Sequence, residues 1–219
     1  DSGKVKWKTG SELATHATPI LAKIHGVEQV VFFCQSGLVS LLPKSGEELW
    51  RQGFPYKVST AASPVVAGDL VYCSAGYGVG AGLYKISKRG SKFSSSQVWR
   101  KPNDVINHWS TPVYHDGHLY GMFSFKKYGD GPLQCVELKT GMVKWSEDGY
   151  GPGNVILAGK HLLALSDKGE LSVVKASSSH YQELARKKLI SGKCWSTPIL
   201  SEGKVLIRST EEAVCLSVN

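Results

Sequence analysis

An all-β fold of repeated four-stranded blades, a β-propeller, is predicted by three features of the sequence. A Ser/Thr-Gly turn leading into a strand that ends in tryptophan occurs as Ser2-Gly3-Lys4-Val5-Lys6-Trp7, Ser45-Gly46-Glu47-Glu48-Leu49-Trp50 and Thr140-Gly141-Met142-Val143-Lys144-Trp145, with a weaker copy at Gln97-Val98-Trp99. The four tryptophans stand 43, 49 and 46 residues apart, a period that belongs to strand-rich blades rather than helical solenoids. A Ser/Thr-Pro start recurs at Thr18-Pro19, Ser63-Pro64, Thr111-Pro112 and Thr197-Pro198.

Each blade can be built in order from these signals. Proline has no N–H for a ladder, so it is tolerated where a strand begins. A glycine turn follows the first strand at Gly68-Asp69, Asp116-Gly117, Gly159-Lys160 and Glu202-Gly203, and glycine supplies the positive φ that two-residue hairpins require. The second strand is apolar, as in Leu70-Val71-Tyr72 and Leu119-Tyr120-Gly121-Met122. The third runs through Leu38-Val39-Ser40-Leu41 or Leu133-Gln134-Cys135-Val136. The Gly turn and the outer strand to tryptophan complete four antiparallel strands.

The expected blades are therefore residues 15–50, 59–99, 109–145 and 153–186 of a single propeller region over 1–219. Residues 1–8 are expected to be the outer strand of one incomplete blade, and 194–219 to form another. A blade alone exposes both apolar faces and becomes stable only by stacking on neighbours. Trp7, Trp50, Trp99 and Trp145, with Gly46 and Gly141 in the turns, are read as docking residues between blades, each indole N–H reaching a neighbouring carbonyl. The fourth unit departs from the pattern, with Asn154-Val155 in place of the Ser/Thr-Pro start and Ala185 in place of tryptophan. Its interface is expected to pack differently.

The Ser/Thr-Pro start, the Gly turn and the Thr-Gly-x-x-x-Trp ending resemble the pyrroloquinoline-quinone-like repeat of the quinoprotein-alcohol-dehydrogenase-like propellers. Gly151–Gly159, Asp167-Lys168-Gly169-Glu170-Leu171 and Gly192–Pro198 resemble the C-terminal half of bacterial propellers grouped with the outer-membrane assembly lipoprotein. The resemblance implies a periplasmic or secreted protein. It also implies a ring of about seven or eight blades, of which this chain supplies an arc. A five-unit ring, closed by pairing Lys4–Trp7 with Ala213–Val218, is the alternative. An arc leaves an apolar sheet face bare at each end, so missing N-terminal blades or a second copy are expected partners.

This fold hosts both dehydrogenases and non-catalytic scaffolds, so function rests on residues. Enzymes of this resemblance hold the quinone on calcium, often against a disulfide of adjacent cysteines. No Cys-Cys pair occurs among Cys34, Cys73, Cys135, Cys194 and Cys215, and no ligand set carries over. Catalytic, cofactor-binding and metal residues are therefore assigned to none, and no cofactor is expected. Pyrroloquinoline quinone with calcium, in a dehydrogenase or a fragment of one, stands as the alternative. Asn103, Asp104 and Asn107 read as a turn.

The remaining composition narrows the partner. Hydrophobic residues at 42% and charged residues at 20% suit a globular protein, and no apolar run reaches the roughly 20 residues of a membrane span. No targeting peptide opens the sequence. The net charge of +8 is scattered over Lys4, Lys6 and Lys8, Lys126-Lys127 and Arg186-Lys187-Lys188. Nucleic acid would require a concentrated stripe with interleaved aromatics, so none is expected as partner. The cysteines sit in apolar stretches and read as buried small hydrophobes. Gly76–Gly82 reads as a flexible loop before a strand at Leu83–Ile86, since a phosphate loop needs a following helix. His16, Asn107, His108, Trp109, Lys193 and Trp195 precede first strands, which line the axis in propellers, and form the candidate binding site at the channel mouth. The function read from the sequence is a non-catalytic scaffold that binds a protein or small ligand there.

Overall fold

A computed structural model describes residues 2–123 and 131–218; Lys126 and Lys127 lie outside them. The described residues form 19 strands in five antiparallel sheets, and no helix is long and apolar enough to cross a membrane. The chain divides into two compact units, residues 1–103 and 104–219.

The first unit holds two four-stranded sheets. One is β1 (Ile20–Ile24), β2 (Val27–Cys34), β3 (Gly37–Leu41) and β4 (Glu48–Gly53); the other is β5 (Val65–Ala67), β6 (Leu70–Ala75), β7 (Gly80–Arg89) and β8 (Lys92–Lys101). Ile24, Val31, Phe33, Leu38 and Trp50 of the first sheet pack with Val71, Cys73, Tyr84 and Ile86 of the second to form its core.

The second unit holds three sheets. They are β9 (Val113–His115), β10 (His118–Met122), β11 (Leu133–Glu137) and β12 (Val143–Glu147); then β13 (Asn154–Ala158), β14 (His161–Leu165), β15 (Glu170–Lys175) and β16 (Glu183–Lys188); then β17 (Ile199–Ser201), β18 (Lys204–Arg208) and β19 (Ala213–Ser217). Tyr120, Met122, Leu133 and Trp145 pack on Val155, Leu162 and Val174. On the far side of that sheet, Leu163, Leu165, Ile190 and Cys194 pack on Val205 and Ile207.

The hairpin turns fall into two kinds set by where glycine sits. His25-Gly26, Asp116-Gly117 and Glu202-Gly203 have positive φ at both residues, the type I′ geometry that matches strand twist. Gly68-Asp69 and Gly159-Lys160 put the glycine first and only there turn φ positive, as a type II′ turn requires.

A feature not expected from the sequence repeats in all four complete sheets. The third and outer strands slip by one residue beside the tryptophan position: Trp50 faces Ser40, Trp99 faces Leu83, Trp145 faces Cys135 and Ala185 faces Val173. Leu49, Val98, Lys144 and Leu184 are the extra residues of these β-bulges, which bend and twist the outer strand locally. The match of Ala185 to the tryptophan position is thus carried by register.

Several expectations are corrected. Residues 2–13 carry no strand, and none of the five sheets takes up Lys4–Trp7. Trp7 nonetheless docks: its Nε1 donates to the Pro43 carbonyl at 2.9 Å and its ring lies on Gly46, where a Cβ would fall 2.5 Å from a ring carbon. Trp145 docks likewise, its Nε1 donating to the Ser177 carbonyl at 2.8 Å. Trp50 is buried, but its N–H stays within its own sheet on Gln29 Oε1 at 2.7 Å. The neighbouring β7–β8 hairpin is long and its turn glycine, Gly90, meets nothing. Trp7 and Trp99 are only half-buried.

Two further departures concern one residue and one turn. Cys215 is exposed, since it alternates with Val214 and Leu216 onto the other face of β19. Gly76–Val79 forms a compact turn, with the Val79 N–H on the Gly76 carbonyl. The strand resumes at Gly80 because Gly80 lies against the Lys101 carbonyl, where a Cβ would sit at 2.0 Å. At the fourth interface, expected to pack differently, β16 is exposed throughout, and Leu189, Ile190 and Cys194 pack in the cluster with Leu163, Leu165, Val205 and Ile207.

Candidate functional site

Within the second unit, two loops with the same Trp-Ser-Thr-Pro sequence lead into β9 and β17. The first is pinned from below. Asn107 is fully buried and its Nδ2 donates to the Met122 carbonyl at the end of β10, 3.0 Å away. His108 is buried beside it and meets Trp109 edge-on, ring centroids 4.7 Å apart. Trp109 itself is 48% exposed.

The second loop repeats the arrangement with other residues. Cys194 is buried, its N–H donates to the Asp167 carbonyl at 2.9 Å, and burial pushes its thiol pKa up, so it stays neutral at physiological pH. The Lys193 backbone is tied to Thr210: its N–H donates to the side-chain Oγ1 at 3.2 Å and its carbonyl accepts the Thr210 N–H at 3.1 Å. The Lys193 ammonium lies 5.3 Å from the Trp195 ring centroid, within range of a cation–π attraction. Trp195 is 54% exposed.

Asn154 is the residue that sequence reasoning missed. It begins β13, which packs beside β9 and β10, and is itself buried. Its Nδ2 donates to the Trp195 carbonyl at 3.1 Å, and its Oδ1 accepts from Thr197 Oγ1 at 3.3 Å. The signal was present as the departure from Ser/Thr-Pro at this position: a carboxamide, with a separate donor and acceptor that can bridge two groups, replaces a single hydroxyl. The structure thus links the Trp195 loop to the strand beside β9.

The other candidates are placed as follows. His16, in the first unit, is exposed, with its backbone N–H on the Thr60 carbonyl at 2.9 Å. Asp104 Oδ1 accepts the N–H of Val105 at 2.8 Å. Among the described residues no group of three or more His, Cys, Asp or Glu is arranged to hold a metal. What the two loops present is indole surface on a fixed backbone, an arrangement suited to binding.

Comparison with known proteins agrees with this architecture. The solved structure of BamB from Moraxella catarrhalis is similar over 98% of this chain and 62% of that one, with a TM-score of 0.68 at 16% identity. The chain thus spans less than two thirds of that BamB. The computationally designed Ika8 protein is similar over 87% of this chain and 55% of its own, TM-score 0.61 at 11% identity. Quinohemoprotein alcohol dehydrogenase from Comamonas testosteroni is similar over 75% and 34%, TM-score 0.53 at 16% identity. At such identities the likeness is one of fold. The curated proteins give no match. The model of the family described as outer membrane protein assembly factor BamB matches residues 1–147. With more than half of its sequence matched, the chain belongs to this family of pyrroloquinoline-quinone-like repeat propellers.

Proposed function

We propose that the chain is a non-catalytic propeller module that binds a protein partner through the Trp109 and Trp195 loops. The observation that carries this reading is the pair of half-exposed tryptophans on loops anchored by buried Asn107, His108, Asn154 and Cys194. Indoles give a large contact area at small cost in side-chain entropy, and tryptophan is enriched among the residues that dominate interface energies. Holding the backbone beforehand lowers the ordering cost of association. Lys193 beside Trp195 adds a cation at the rim.

The description of the family makes a component of outer-membrane protein assembly the expected partner, met on the periplasmic side of that membrane. A photo-cross-linking residue placed at 109 and, separately, at 195 tests the reading. Both positions are expected to capture the same protein, while position 91, at the β7–β8 hairpin tip, captures none. The captured protein, once purified, should bind Trp109→Ala and Trp195→Ala at least about tenfold more weakly. Equal capture at position 91, or unchanged affinity in both variants, overturns it.

A further inference from the structure

Within residues 1–103 an open groove of about 410 Å³ lies among three segments: the stretch after β4, the β6–β7 turn and the end of β8. Its walls include Pro55, Tyr56, Lys57, Tyr77, Arg100 and Pro102. The volume falls in the range of ligand sites, about 300–1,000 Å³.

Arg100 gives the groove its chemistry. The guanidinium donates through Nη1 to the Ala81 carbonyl at 2.7 Å and through Nη2 to the Val79 carbonyl at 2.5 Å. It stacks on Phe54, 4.4 Å from the ring centroid. These partners are neutral. A half-buried cation with no carboxylate among its contacts carries an uncompensated desolvation cost, and burial indeed holds its pKa below the usual value. Lys57 is exposed on the same groove, so two cations line its walls and no carboxylate is among the described residues that line it. Two of the five N–H donors of Arg100 are engaged, and its planar fork suits a carboxylate.

The second observation concerns Tyr77, whose backbone is left-handed at φ 58°. A bulky side chain seldom adopts this conformation, and such residues gather at ligand clamps. The compact Gly76–Val79 turn therefore holds an aromatic ring on the groove wall at some conformational cost. Tyr56 lies on the groove as well, its hydroxyl donating to the Val58 carbonyl at 2.5 Å. Aromatic rings and prolines lining a groove receive extended peptides that carry little entropy to lose.

We propose that this groove binds an extended acidic peptide, a carboxylate meeting Arg100 and Lys57 and the chain lying across Tyr56 and Tyr77. The carboxylate comes from an Asp or Glu side chain, and three fluorescein-labelled peptides separate this source from a chain terminus. One alternates Glu and Pro with an amidated end, one alternates Gln and Pro with an amidated end, and one alternates Gln and Pro with a free carboxylate. Fluorescence anisotropy with the intact chain is expected to show binding of the amidated Glu peptide, weakening steeply as salt rises from about 50 to about 300 mM. Lys57→Glu should weaken it at least about tenfold. Tyr77→Gly, which keeps the left-handed turn without strain, should weaken it about fivefold. Binding of the free-carboxylate Gln peptide alone overturns the acidic peptide and identifies a chain terminus instead. The proposal is overturned if the amidated Gln peptide binds as tightly as the Glu peptide, if no peptide binds, or if both variants bind like the parent.

Discussion

Replacing Trp145 by alanine is the most direct test of how neighbouring blades hold together. The indole is 9% exposed, donates to the Ser177 carbonyl at 2.8 Å, and meets Tyr181 edge-on with centroids 5.6 Å apart. Truncating so large a core aromatic costs about 3–5 kcal/mol. Within that total the hydrogen bond contributes about 1 kcal/mol and the aromatic pair about 0.5–1.5 kcal/mol. Trp145→Phe keeps much of the apolar contact and loses the hydrogen bond. Ser177 is half-buried, so water can reach its carbonyl, and the phenylalanine variant should lose only about 1–2 kcal/mol. Urea unfolding at unchanged m-value reads both losses as shifts in midpoint. A loss under about 1 kcal/mol for alanine would refute the docking argument. Equal losses for the two variants would move the stabilisation from packing to the hydrogen bond.

Other outcomes follow from the same geometry. Ala185→Trp, at the matching position of exposed β16, should change stability by less than about 0.5 kcal/mol by the same titration; a large gain would mean a docking groove exists there. Gly46→Ala should cost about 1–3 kcal/mol, because its φ is +75° and the new methyl meets Trp7. Gly26→Ala, equally left-handed but in open space, should cost only about 1 kcal/mol. Burial pushes the Cys135 thiol from its ordinary 9.0 up to about 11. The fold therefore favours the neutral thiol, and this stabilisation is complete below pH 9.0 and lost as pH rises to about 11; Cys135→Ala should flatten that part of the profile, and an unchanged slope would contradict it. Adding pyrroloquinoline quinone and calcium should leave the melting temperature where it was, whereas a bound ligand in excess would raise stability by a few kcal/mol.

What the sequence made legible was local chemistry. Thr18-Pro19 or Thr197-Pro198 starts a strand and Asp116-Gly117 turns one, each through the backbone preferences of a few adjacent residues, whereas the outer strand does not end at its tryptophan as expected: β12 runs on from Trp145 to Glu147. Register is a relation between strands, so the bulge at Leu49 or Lys144 left no mark in either strand alone. Burial of polar groups was equally hidden. His108 precedes a strand as His16 does, yet one is enclosed and the other exposed, because the backbone around each determines how far water reaches. The Arg100 groove draws on three segments spread over almost fifty residues, and none carries a motif of its own.

The bulge beside each tryptophan position also governs how these sequences tolerate change. Side chains along a strand alternate between faces, and one extra residue reverses that parity. In β12 the reversal falls at Lys144, so Val143 and Trp145 do not share a face in the simple way that a two-residue step would give. Deleting Lys144 would remove no buried side chain, yet it would act as a frameshift in three dimensions, forcing either the indole or the Met142-Val143 end of the strand onto the wrong side. The outer strand of every complete sheet thus behaves as two short phrases joined by an obligatory pause, and insertions or deletions within it carry far more consequence than the solvent exposure of their residues would indicate.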